Sequence, residues 1–447
     1  MAKKLSVENL LAKANKPKEL AMKYHPFYAG KIQVVPKVPI RTIHDLSIWY
    51  TPGVAEPCKD IHKNRSAVYK HTNKSNFVAV VSDGTRVLGL GNIGPEAGLP
   101  VMEGKALLFK YLGGVDAFPI CLGTDDAENI ISAVKWITPT FGGINLEDFQ
   151  KPKCYYILEK LRESLNIPVW HDDQQGTALV TIAALFNALK VVGKKLGEVQ
   201  ITLIGAGSAN MNVAKYLMIA GVKADNIIIV DSKGILNSGR VDVKEKDPVK
   251  WAMCKKTNTE ERTGDIMDAL KDVDVLVAYS RPGPGVIKKE YVAKMADDAI
   301  VLAGANPIPE IWPWEAKEAG AKIVATGRSD FPNQVNNSLG FPAVFRGALD
   351  VMSMKITDEM CITAAHAIAN YAEKKGIHEE YIIPTMAETE MYVEEAVAVG
   401  LKAIEQGIAQ KKVSRQSLWE RASFMIQNAQ ETTRLLMKEK LIAPVPR

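Results

Sequence analysis

From about residue 177 onward, the sequence alternates between helical segments and short runs of β-branched and other apolar residues. The segment TALVTIAALFNALKVV is almost entirely apolar and predicts a buried helix, and MNVAKYLMIAG predicts a second helix. The short apolar runs that predict strands are VQITLIGAG, NIIIVD, DVDVLVAYS, AIVLAGAN and AKIVATG. Strands separated by helices in this way predict an α/β protein with a parallel, doubly wound sheet.

The first of these strands leads into a candidate dinucleotide-binding loop. Gly205 and Gly207 lie at the turn from strand to helix, where the absence of side chains lets the backbone approach a pyrophosphate. Asp231 ends the next strand, where a carboxylate can accept a hydrogen bond from a ribose 2′-hydroxyl. Asn210 stands where the fingerprint has its third glycine, so close packing of the helix on the strand is not assured. The pattern predicts a Rossmann-type domain.

The rest of the chain differs from this part on both sides. Residues 77–81 predict a strand, residues 82–100 a glycine-rich loop, and the residues after Pro100 a helix, as in an α/β domain. From Thr357 onward the pattern is helical without further strands, which predicts a layer packed on the other domains. The predicted organisation is an N-terminal α/β substrate domain over residues 1–160, a dinucleotide-binding domain over 161–356 and a helical C-terminal segment over 357–447.

Composition excludes several other classes of protein. The net charge of +5 arises from lysines spread along the chain without a basic block, so nucleic acid is not an expected partner. The five cysteines are far apart and form no C-x-x-C pair. No uninterrupted apolar run is long enough for a membrane helix, and the first twenty residues predict a surface helix instead of a targeting segment. We therefore expect a cytoplasmic protein that does not bind membranes.

Two acidic pairs are candidate metal ligands. Glu147 and Asp148 occur in FGGINLEDF, and Asp172 and Asp173 occur in VWHDDQQGTA. Hard cations such as Mg²⁺ and Mn²⁺ need a few carboxylate oxygens, which two such pairs would supply if they met in space. Each pair taken alone is more typical of helix capping, because the first turn of a helix favours negative charge. His171, beside the second pair, is more typical of a structural histidine than of a ligand.

For several other polar residues, the local sequence alone does not indicate a functional role. Asn306 directly follows a predicted strand and precedes a proline, where an asparagine is usual in a turn, and the same holds for Asn336 and Asn337 in their loop. Lys105 lies in a predicted amphipathic helix, where most lysines face solvent. Tyr50 lies in IWYTPG and would ordinarily serve only in packing.

Four long segments, in this order, resemble the successive motifs of malic enzymes, most of all the short bacterial and archaeal type. They are IWYTPGVAEPC, VVSDGTRVLGLGNIGPEAGLPVMEGKALLFK, PTFGGINLEDF and IPVWHDDQQGTA. With the GAGSAN loop and the NNS segment, the resemblance covers roughly residues 20–390. It implies oxidative decarboxylation of L-malate to pyruvate and carbon dioxide, with NAD⁺ or NADP⁺ as oxidant, Mg²⁺ or Mn²⁺ as cofactor, and a homodimer.

The resemblance also assigns roles to residues at the motif positions. Lys105 of the MEGK motif would be the general base and Tyr50 of the YTPG motif the general acid. The implied metal ligands are Glu147, Asp148 and Asp173, with Asp172 as a supporting carboxylate. The implied substrate contacts are Arg86, Asn306 and Asn337, of which Arg86 is replaced by a small residue in many short-type sequences. The implied cofactor contacts are Gly205, Ala206, Gly207, Ser208, Ala209, Asp231 and Asn306.

Two further expectations concern Lys105 and the choice of cofactor. To take a proton from the substrate hydroxyl, Lys105 must be neutral, so we expect a desolvated, cation-rich surrounding to lower its pKa. Asp231 would repel the 2′-phosphate of NADP⁺, whereas Lys233 would attract it. Because the strand fixes the carboxylate and the lysine lies in a loop, the sequence favours modestly better use of NAD⁺.

Two alternatives remain open at this point. A malolactic enzyme would use the same groups, keep its NAD and return the hydride, so that lactate is the product. A dinucleotide-binding regulator without catalytic activity would have no need of Tyr50, Lys105 and the acidic residues together. Product analysis distinguishes these alternatives.

Overall fold

The computed structural model describes residues 7–446, with side chains from residue 16 onward. The predicted N-terminal surface helix is present from Val7, and the first six residues of that prediction lie outside the described residues. Among the described residues, four α-helices precede the first strand, and they are α1 (Val7–Tyr28), α2 (Asp45–Trp49), α3 (Ala55–Lys63) and α4 (Val68–His71).

A four-stranded parallel sheet follows. Its strands are β1 (Phe77–Ser82), β2 (Asp116–Cys121), β3 (Gly143–Leu146) and β4 (Val169–His171), in the spatial order β2-β1-β3-β4. The helices that connect them are α5 (Pro95–Gly113), α6 (Ala127–Ile137) and α7 (Lys153–Ser164). The predicted domain boundary at residue 160 falls inside α7, and β4, the last strand of this sheet, comes after it.

The predicted doubly wound sheet is confirmed, with six strands in the order β10-β9-β8-β5-β6-β7. Its strands are β5 (Ile201–Ile204), β6 (Ile227–Asp231), β7 (Gly234–Ile235), β8 (Val275–Ala278), β9 (Ile300–Ala303) and β10 (Ile323–Thr326), of which only β7 is antiparallel to its neighbour. The accompanying helices are α8 (Thr177–Val192), α9 (Ser208–Ile219), α10 (Pro248–Lys256), α11 (Ile266–Ala269), α12 (Lys289–Val292) and α13 (Pro313–Glu318).

The strand order places a ligand crevice at one point of this sheet. The chain runs outward from β5 through β6 on one side and through β8 on the other. Ligands of open α/β sheets bind beyond the carboxyl ends of the strands at such a reversal. The cofactor is therefore expected beside the ends of β5 and β8.

Alternate residues of the strands belong to different cores, which is why both faces of the sheet need helices. In β8, Val275 and Val277 pack into a core shared with α8 and α9, whereas Leu276 and Ala278 pack against α11, α12 and α13. The stretch Asp172–Val192 is long and apolar enough to cross a membrane, but 72% of its apolar window is buried within the protein. It is the central core helix that its composition predicts.

After β10, the described part of the chain forms helices and loops, as predicted for the C-terminal segment. The helices are α14 (Phe341–Asp350), α15 (Asp358–Lys375), α16 (Thr389–Glu405) and α17 (Arg415–Lys438). Buried residues of α14, α15 and α16 belong to the same core cluster as β1, α5 and α8. One apolar core thus joins both sheets and the helical segment.

A buried ion pair fixes α14 to its surroundings. The fully buried Arg346 donates from Nε and Nη2 to Asp350, at 3.0 and 2.6 Å, and from Nη1 to Asn76 Oδ1 at 2.5 Å. Arg421 of α17 donates to the same aspartate at 2.6 Å. The network therefore joins the N-terminal domain to two C-terminal helices.

We expect Asp350→Ala to lower the free energy of unfolding by about 3–5 kcal/mol, because it leaves the Arg346 charge buried without its partner. Urea denaturation measures the change. As a control, Glu198→Ala removes an exposed ion pair with Lys195 and should cost at most ~1 kcal/mol. Equal, small losses in both variants would contradict a stabilising role for the network.

Candidate active site

The two acidic pairs lie side by side at the carboxyl edge of the first sheet. Strands β3 and β4 are adjacent and parallel, with Leu146 opposite His171, so the residues that follow each strand emerge at the same place. Those residues are Glu147 and Asp148 after β3, and Asp172 and Asp173 after β4. The pairs are thus brought together by strand pairing, and the simpler interpretation as separate helix caps does not describe them.

Three of these carboxylates form a cluster that fits a divalent cation. Glu147, Asp148 and Asp173 each offer an oxygen within 4.8 Å of the others. Burial and the charge of Asp173 raise the pKa of Asp148 to about 8, and burial also raises the pKa of Glu147. Asp148 Oδ2 is buried and has no hydrogen-bond donor among the described residues. Negative charge that is concentrated and incompletely compensated is what a hard cation requires of its ligands.

The backbone holds this cluster in place. Asp148 adopts a left-handed conformation, with φ of 59°, that is uncommon for a residue other than glycine. Its amide donates to Asp173 Oδ2 at 2.9 Å, and its carbonyl accepts from the Arg86 amide at 2.9 Å. The loops after β1, β3 and β4 are therefore linked through one residue.

Lys105 projects from α5 into the same site and is 7% exposed. Its Nζ lies 2.5 Å from Asp172 Oδ2 and 3.1 Å from Glu147 Oε1. Burial by itself would lower the pKa of Lys105, but attraction to Asp172 and Glu147 outweighs burial and raises the pKa. The expected lowering of this pKa therefore depends on a cation beside the lysine, because the nearest side-chain charges are carboxylates.

Asp172 is the centre of the hydrogen bonds around the lysine. It accepts from Trp170 Nε1 at 3.1 Å and from the Asn337 side chain. A Cβ on Gly176 would lie 2.1 Å from Asp172 Oδ1, so that position needs glycine. Asn337, expected at the substrate, is thus brought to the Lys105 site, where it contacts Asp172.

The sequence interpretation did not identify two supporting side chains. Asn145 is fully buried and donates to Glu147 Oε2 at 2.9 Å, and Trp170 orients Asp172 as described above. Both lie in strands that lead to the acidic pairs. Side chains two positions apart along a strand point to the same face of the sheet. Each of these residues could therefore have been identified from its position two residues before a candidate acidic residue.

The side chains of two of the predicted residues lie outside this network. The exposed Arg86 donates from its guanidinium to the Leu88 carbonyl of its own loop. Tyr50, at the end of α2, is 73% exposed, and its hydroxyl has no hydrogen-bond partner among the described residues. The structure therefore gives neither residue a direct contact with Lys105.

At the end of β5, the glycines have the properties expected of a cofactor loop. Gly205 has φ of 98°, and a Cβ there would lie 2.5 Å from the Tyr279 carbonyl. No atom lies within 4 Å of a Cβ placed on Gly207, which leaves room for a ligand. Asn210 is buried and donates to the carbonyls of Ile204 and Gly205, at 2.9 and 2.8 Å. The helix thus stays close to the strand without the third glycine.

The remaining loop residues lie around this turn. Ala206 accepts a hydrogen bond of 2.9 Å from Nζ of Lys151, a residue of the N-terminal domain. Ser208 begins α9, and Ala209 follows it. Asn306 is exposed and follows the end of β9. It lies beside Gly327, because a Cβ added to Gly327 would be 2.6 Å from Nδ2 of the Asn306 side chain. These residues all lie at the carboxyl edge of the second sheet.

Asp231, at the end of β6, is not a free carboxylate. Arg240 donates to both of its oxygens at 3.0 Å, and Lys250 donates to Oδ2 at 3.1 Å. Lys233, which the sequence suggested as an opposing cation, binds Asp242 at 2.9 Å through its ammonium. Arg240 and Lys250 lie nine and nineteen residues after Asp231, and no sequence pattern marks them.

A cavity of about 530 Å³ lies away from this chemistry, between α7, α9, α10 and the start of α15. Its lining includes Gln174 and Gln175, which follow the second acidic pair, but not the carboxylate cluster or Lys105. We therefore locate the candidate active site by its charged residues at the carboxyl edge of the first sheet, and not by this cavity.

Two family models match most of this sequence. Residues 29–162 match the malic enzyme N-terminal domain, and residues 174–404 match the malic enzyme NAD-binding domain. The bifunctional malic/malolactic enzyme of Bacillus subtilis is 48% identical over 404 residues, which cover 90% of this chain and 97% of that enzyme.

Other relatives differ in the cofactor that they are named for. The NAD-dependent malic enzyme of Geobacillus stearothermophilus is 49% identical over 86% of this chain and 78% of its own length. The NADP-dependent malic enzyme of Haemophilus influenzae is 43% identical over 89% of this chain but only 54% of its own length. The crystal structure of Entamoeba histolytica malic enzyme superposes with a TM-score of 0.96 and 47% identity, covering 100% of this chain and 94% of that one.

Proposed function

This chain belongs to the malic enzyme family, and we propose that it converts L-malate to pyruvate and carbon dioxide in a reaction that requires a divalent cation. One observation carries the proposal. A buried lysine lies between two carboxylates, and beside it three carboxylates cluster at the same sheet edge. This arrangement supplies a candidate proton acceptor and a candidate cation site at one sheet edge.

In this proposal, Lys105 removes the proton of the C2 hydroxyl while the C2 hydride passes to NAD⁺ or NADP⁺. The bond between C3 and the adjacent carboxylate then breaks to release carbon dioxide and leave the enolate of pyruvate. A divalent cation bound by Glu147, Asp148 and Asp173 would stabilise negative charge on the C2 oxygen and offset the carboxylate charge that holds the proton on Lys105. Asp172 holds the lysine in position.

Tyr50 would then donate a proton to C3, which gives pyruvate. The exposure of Tyr50 connects its proposed role as general acid with the expected homodimer. Ile48 and Trp49 beside it are 57% and 44% exposed, and Ile43 is 74% exposed. A second copy that covers this apolar segment would remove Tyr50 from bulk water, which favours proton transfer to carbon. The homodimer, the cytoplasmic location and the substrate contacts of Arg86, Asn306 and Asn337 stay predictions.

Malolactic activity is a second candidate, since the relative from Bacillus subtilis is named a bifunctional malic/malolactic enzyme. In that reaction the same site would keep the reduced cofactor and return its hydride to pyruvate. The two activities differ in net cofactor reduction.

We expect L-malate and Mn²⁺ to give pyruvate and reduced cofactor in equal amounts, and a chelator to stop the reaction. The experiment measures both products with NAD⁺ and with NADP⁺, with and without Mn²⁺. Lactate without net reduction would identify the malolactic reaction instead. If neither cofactor supported any consumption of malate, the proposed enzyme activity would be wrong.

A further inference from the structure

The cavity of about 530 Å³ lies where the two sheet domains meet, outside the candidate active site. One wall is α7, which packs on the first sheet, and the other walls are α9 and α10 beside the second sheet and the start of α15. Binding sites for small molecules commonly have volumes of this order and occur at such domain boundaries. The proposed reaction does not use this cavity.

Two buried polar groups of the lining residues have no hydrogen-bond partner among the described residues. They are Nε2 of Gln174, a residue that is 4% exposed, and the hydroxyl of Tyr155. A buried polar atom without a partner costs about 1–3 kcal/mol, and native proteins seldom retain one. A molecule that carries acceptor oxygens can satisfy both groups. They therefore point to a polar ligand in the cavity.

The charged residues around the cavity are of both signs. Its lining contains four carboxylates and three cations, which leaves one excess negative charge. This balance does not favour a dianion such as malate. Among the described residues, the exposed side chains of Glu159 and Lys355 make no ion pair or hydrogen bond, and both line the cavity. One uncommitted carboxylate and one uncommitted ammonium group favour a ligand that carries both a positive and a negative charge.

Arg162 offers the anionic end of such a ligand a second partner. It donates from Nε to the Val169 carbonyl at 3.4 Å and from Nη2 to the Ile356 carbonyl at 2.6 Å. Its Nη1 lies 3.9 Å from Asp358, which is too far for a hydrogen bond. Three of the five guanidinium N–H groups therefore remain for a carboxylate, the group whose geometry the guanidinium matches.

The lining also contains apolar side chains from α7, α9 and α10. Leu158 and Met211 are buried, and Met253 is partly buried against the same core as Met211. The two thioethers distinguish this surface from a purely aliphatic one, because sulfur makes favourable contacts with aromatic rings. We therefore expect the apolar part of the ligand to be aromatic.

The cavity is linked to both parts of the candidate active site. Gln174 directly follows Asp173 of the carboxylate cluster, and its carbonyl accepts a hydrogen bond of 3.0 Å from Nδ2 of Asn212, which also lines the cavity. Asn212 lies on α9, whose first residue, Ser208, belongs to the cofactor loop. A ligand that holds Gln174 in place also orders the backbone beside Asp173. This ordering lowers the entropic cost of binding a cation there.

We propose that this cavity is an effector site for an aromatic α-amino acid, and that the bound amino acid increases the affinity of the enzyme for its divalent cation. Arg162 and Lys355 bind the carboxylate, and Glu159 binds the ammonium group. The aromatic ring lies against Met211 and Met253. The effector role rests on the proposed metal site, whereas binding of the amino acid does not.

Calorimetric titration of the full-length, metal-free protein with three matched compounds tests the site. They are L-phenylalanine, 3-phenylpropanoate, which lacks the ammonium group, and 2-phenylethylamine, which lacks the carboxylate. We expect L-phenylalanine to bind at least fivefold more tightly than either analogue, because each analogue leaves one charged partner unpaired. Equal affinity for 3-phenylpropanoate would identify a simple anion site and overturn the proposal. Absence of L-phenylalanine binding at millimolar concentrations would overturn it as well.

Three variants locate the two charged contacts. Glu159→Gln should weaken binding of L-phenylalanine at least threefold and leave that of 3-phenylpropanoate within twofold, since this analogue has no ammonium group. Lys355→Met should weaken binding of both compounds at least threefold. Lys256→Met replaces an exposed lysine of α10 that does not line the cavity and should change neither affinity beyond twofold. Unchanged binding of L-phenylalanine in both cavity variants would contradict the assignment.

Reciprocal titrations test the effector role. Saturating Mn²⁺ should tighten binding of L-phenylalanine at least threefold, and saturating L-phenylalanine should tighten binding of Mn²⁺ by the same factor. Asp173→Asn should abolish this coupling without weakening L-phenylalanine in the metal-free protein. If Mn²⁺ binds but neither affinity changes, the effector role is wrong. If Mn²⁺ does not bind at all, the proposed metal site falls, and a fivefold preference for L-phenylalanine still establishes the amino-acid site.

Discussion

Asp173→Asn should lower malate turnover by about a thousandfold or more while the protein remains folded. An amide is a neutral and weaker ligand for a hard cation than a carboxylate. Stabilisation by a bound metal is worth several kcal/mol, and each ~1.4 kcal/mol is a factor of ten in rate. The amide oxygen can still accept the hydrogen bond of 2.9 Å from the Asp148 backbone, so the loop keeps its support.

The same substitution should abolish stabilisation by the metal. In the unaltered protein, Mn²⁺ at a hundred times its Kd should add about 2.7 kcal/mol to the free energy of unfolding. Thermal denaturation with and without Mn²⁺ measures this effect. Glu198→Gln, an exposed acidic residue outside the site, serves as the control and should keep both effects. Near-normal, chelator-insensitive turnover in Asp173→Asn would refute the metal site.

The pH dependence of that stabilisation has a defined sign. The pKa of Asp148, about 8, lies above the usual 3.8, so protonation stabilises the metal-free fold. This contribution is fully present below about pH 4 and is lost as the pH rises through about 8. A cation binds the deprotonated carboxylate, so the stabilising effect of Mn²⁺ should increase over the same range.

Lys105→Ala should reduce kcat by about a hundredfold to ten-thousandfold, which is the usual contribution of a positioned proton acceptor. Lys110→Ala, on the same helix but in a partly exposed ion pair with Asp116, should leave kcat nearly unchanged. Small amines added to Lys105→Ala should restore part of the activity, because they supply the missing base. A structural role alone would not respond to amines.

Tyr50→Phe should give a different defect, with malate binding retained and protonation of the enol slowed. Ketonisation of enolpyruvate, measured directly, reports on that step and does not require the Lys105 proton transfer. Normal ketonisation in Tyr50→Phe would remove the tyrosine from its role as acid.

Sequence patterns predict the second sheet well because its elements are long or strongly apolar. The helix α8 and five of the six strands of this sheet agree with the predicted segments, whereas the two-residue β7 was not predicted. The strand-loop-helix at Gly205 needs only local chemistry. The first sheet was harder to predict. Its strands β3 and β4 have four and three residues, too few to show a period, and β2 contains Pro119.

The candidate site shows the same difference between features that a local pattern predicts and features that depend on contacts between distant residues. The two acidic pairs are visible in the sequence because each follows a strand, but their meeting depends on the pairing of β3 with β4. The pKa of Lys105 depends on its distance to Asp172, which is far away in the sequence. The hydrogen bonds of Asp231 depend on Arg240 and Lys250, which belong to no recognisable motif. No local pattern encodes that Arg240 folds back onto Asp231.

The shared apolar core described above has a consequence for cooperativity. Buried residues of β1, α5, α8, α14 and α16 belong to one cluster, so one face of each sheet is covered in a core that both sheets share, while the other face of each has a core of its own. We therefore expect a substitution that weakens the packing of the C-terminal helices to destabilise the sheet that holds the carboxylate cluster as well. The three regions are distinct in topology, but because they share this cluster we expect both sheets and the C-terminal helices to unfold in one cooperative transition.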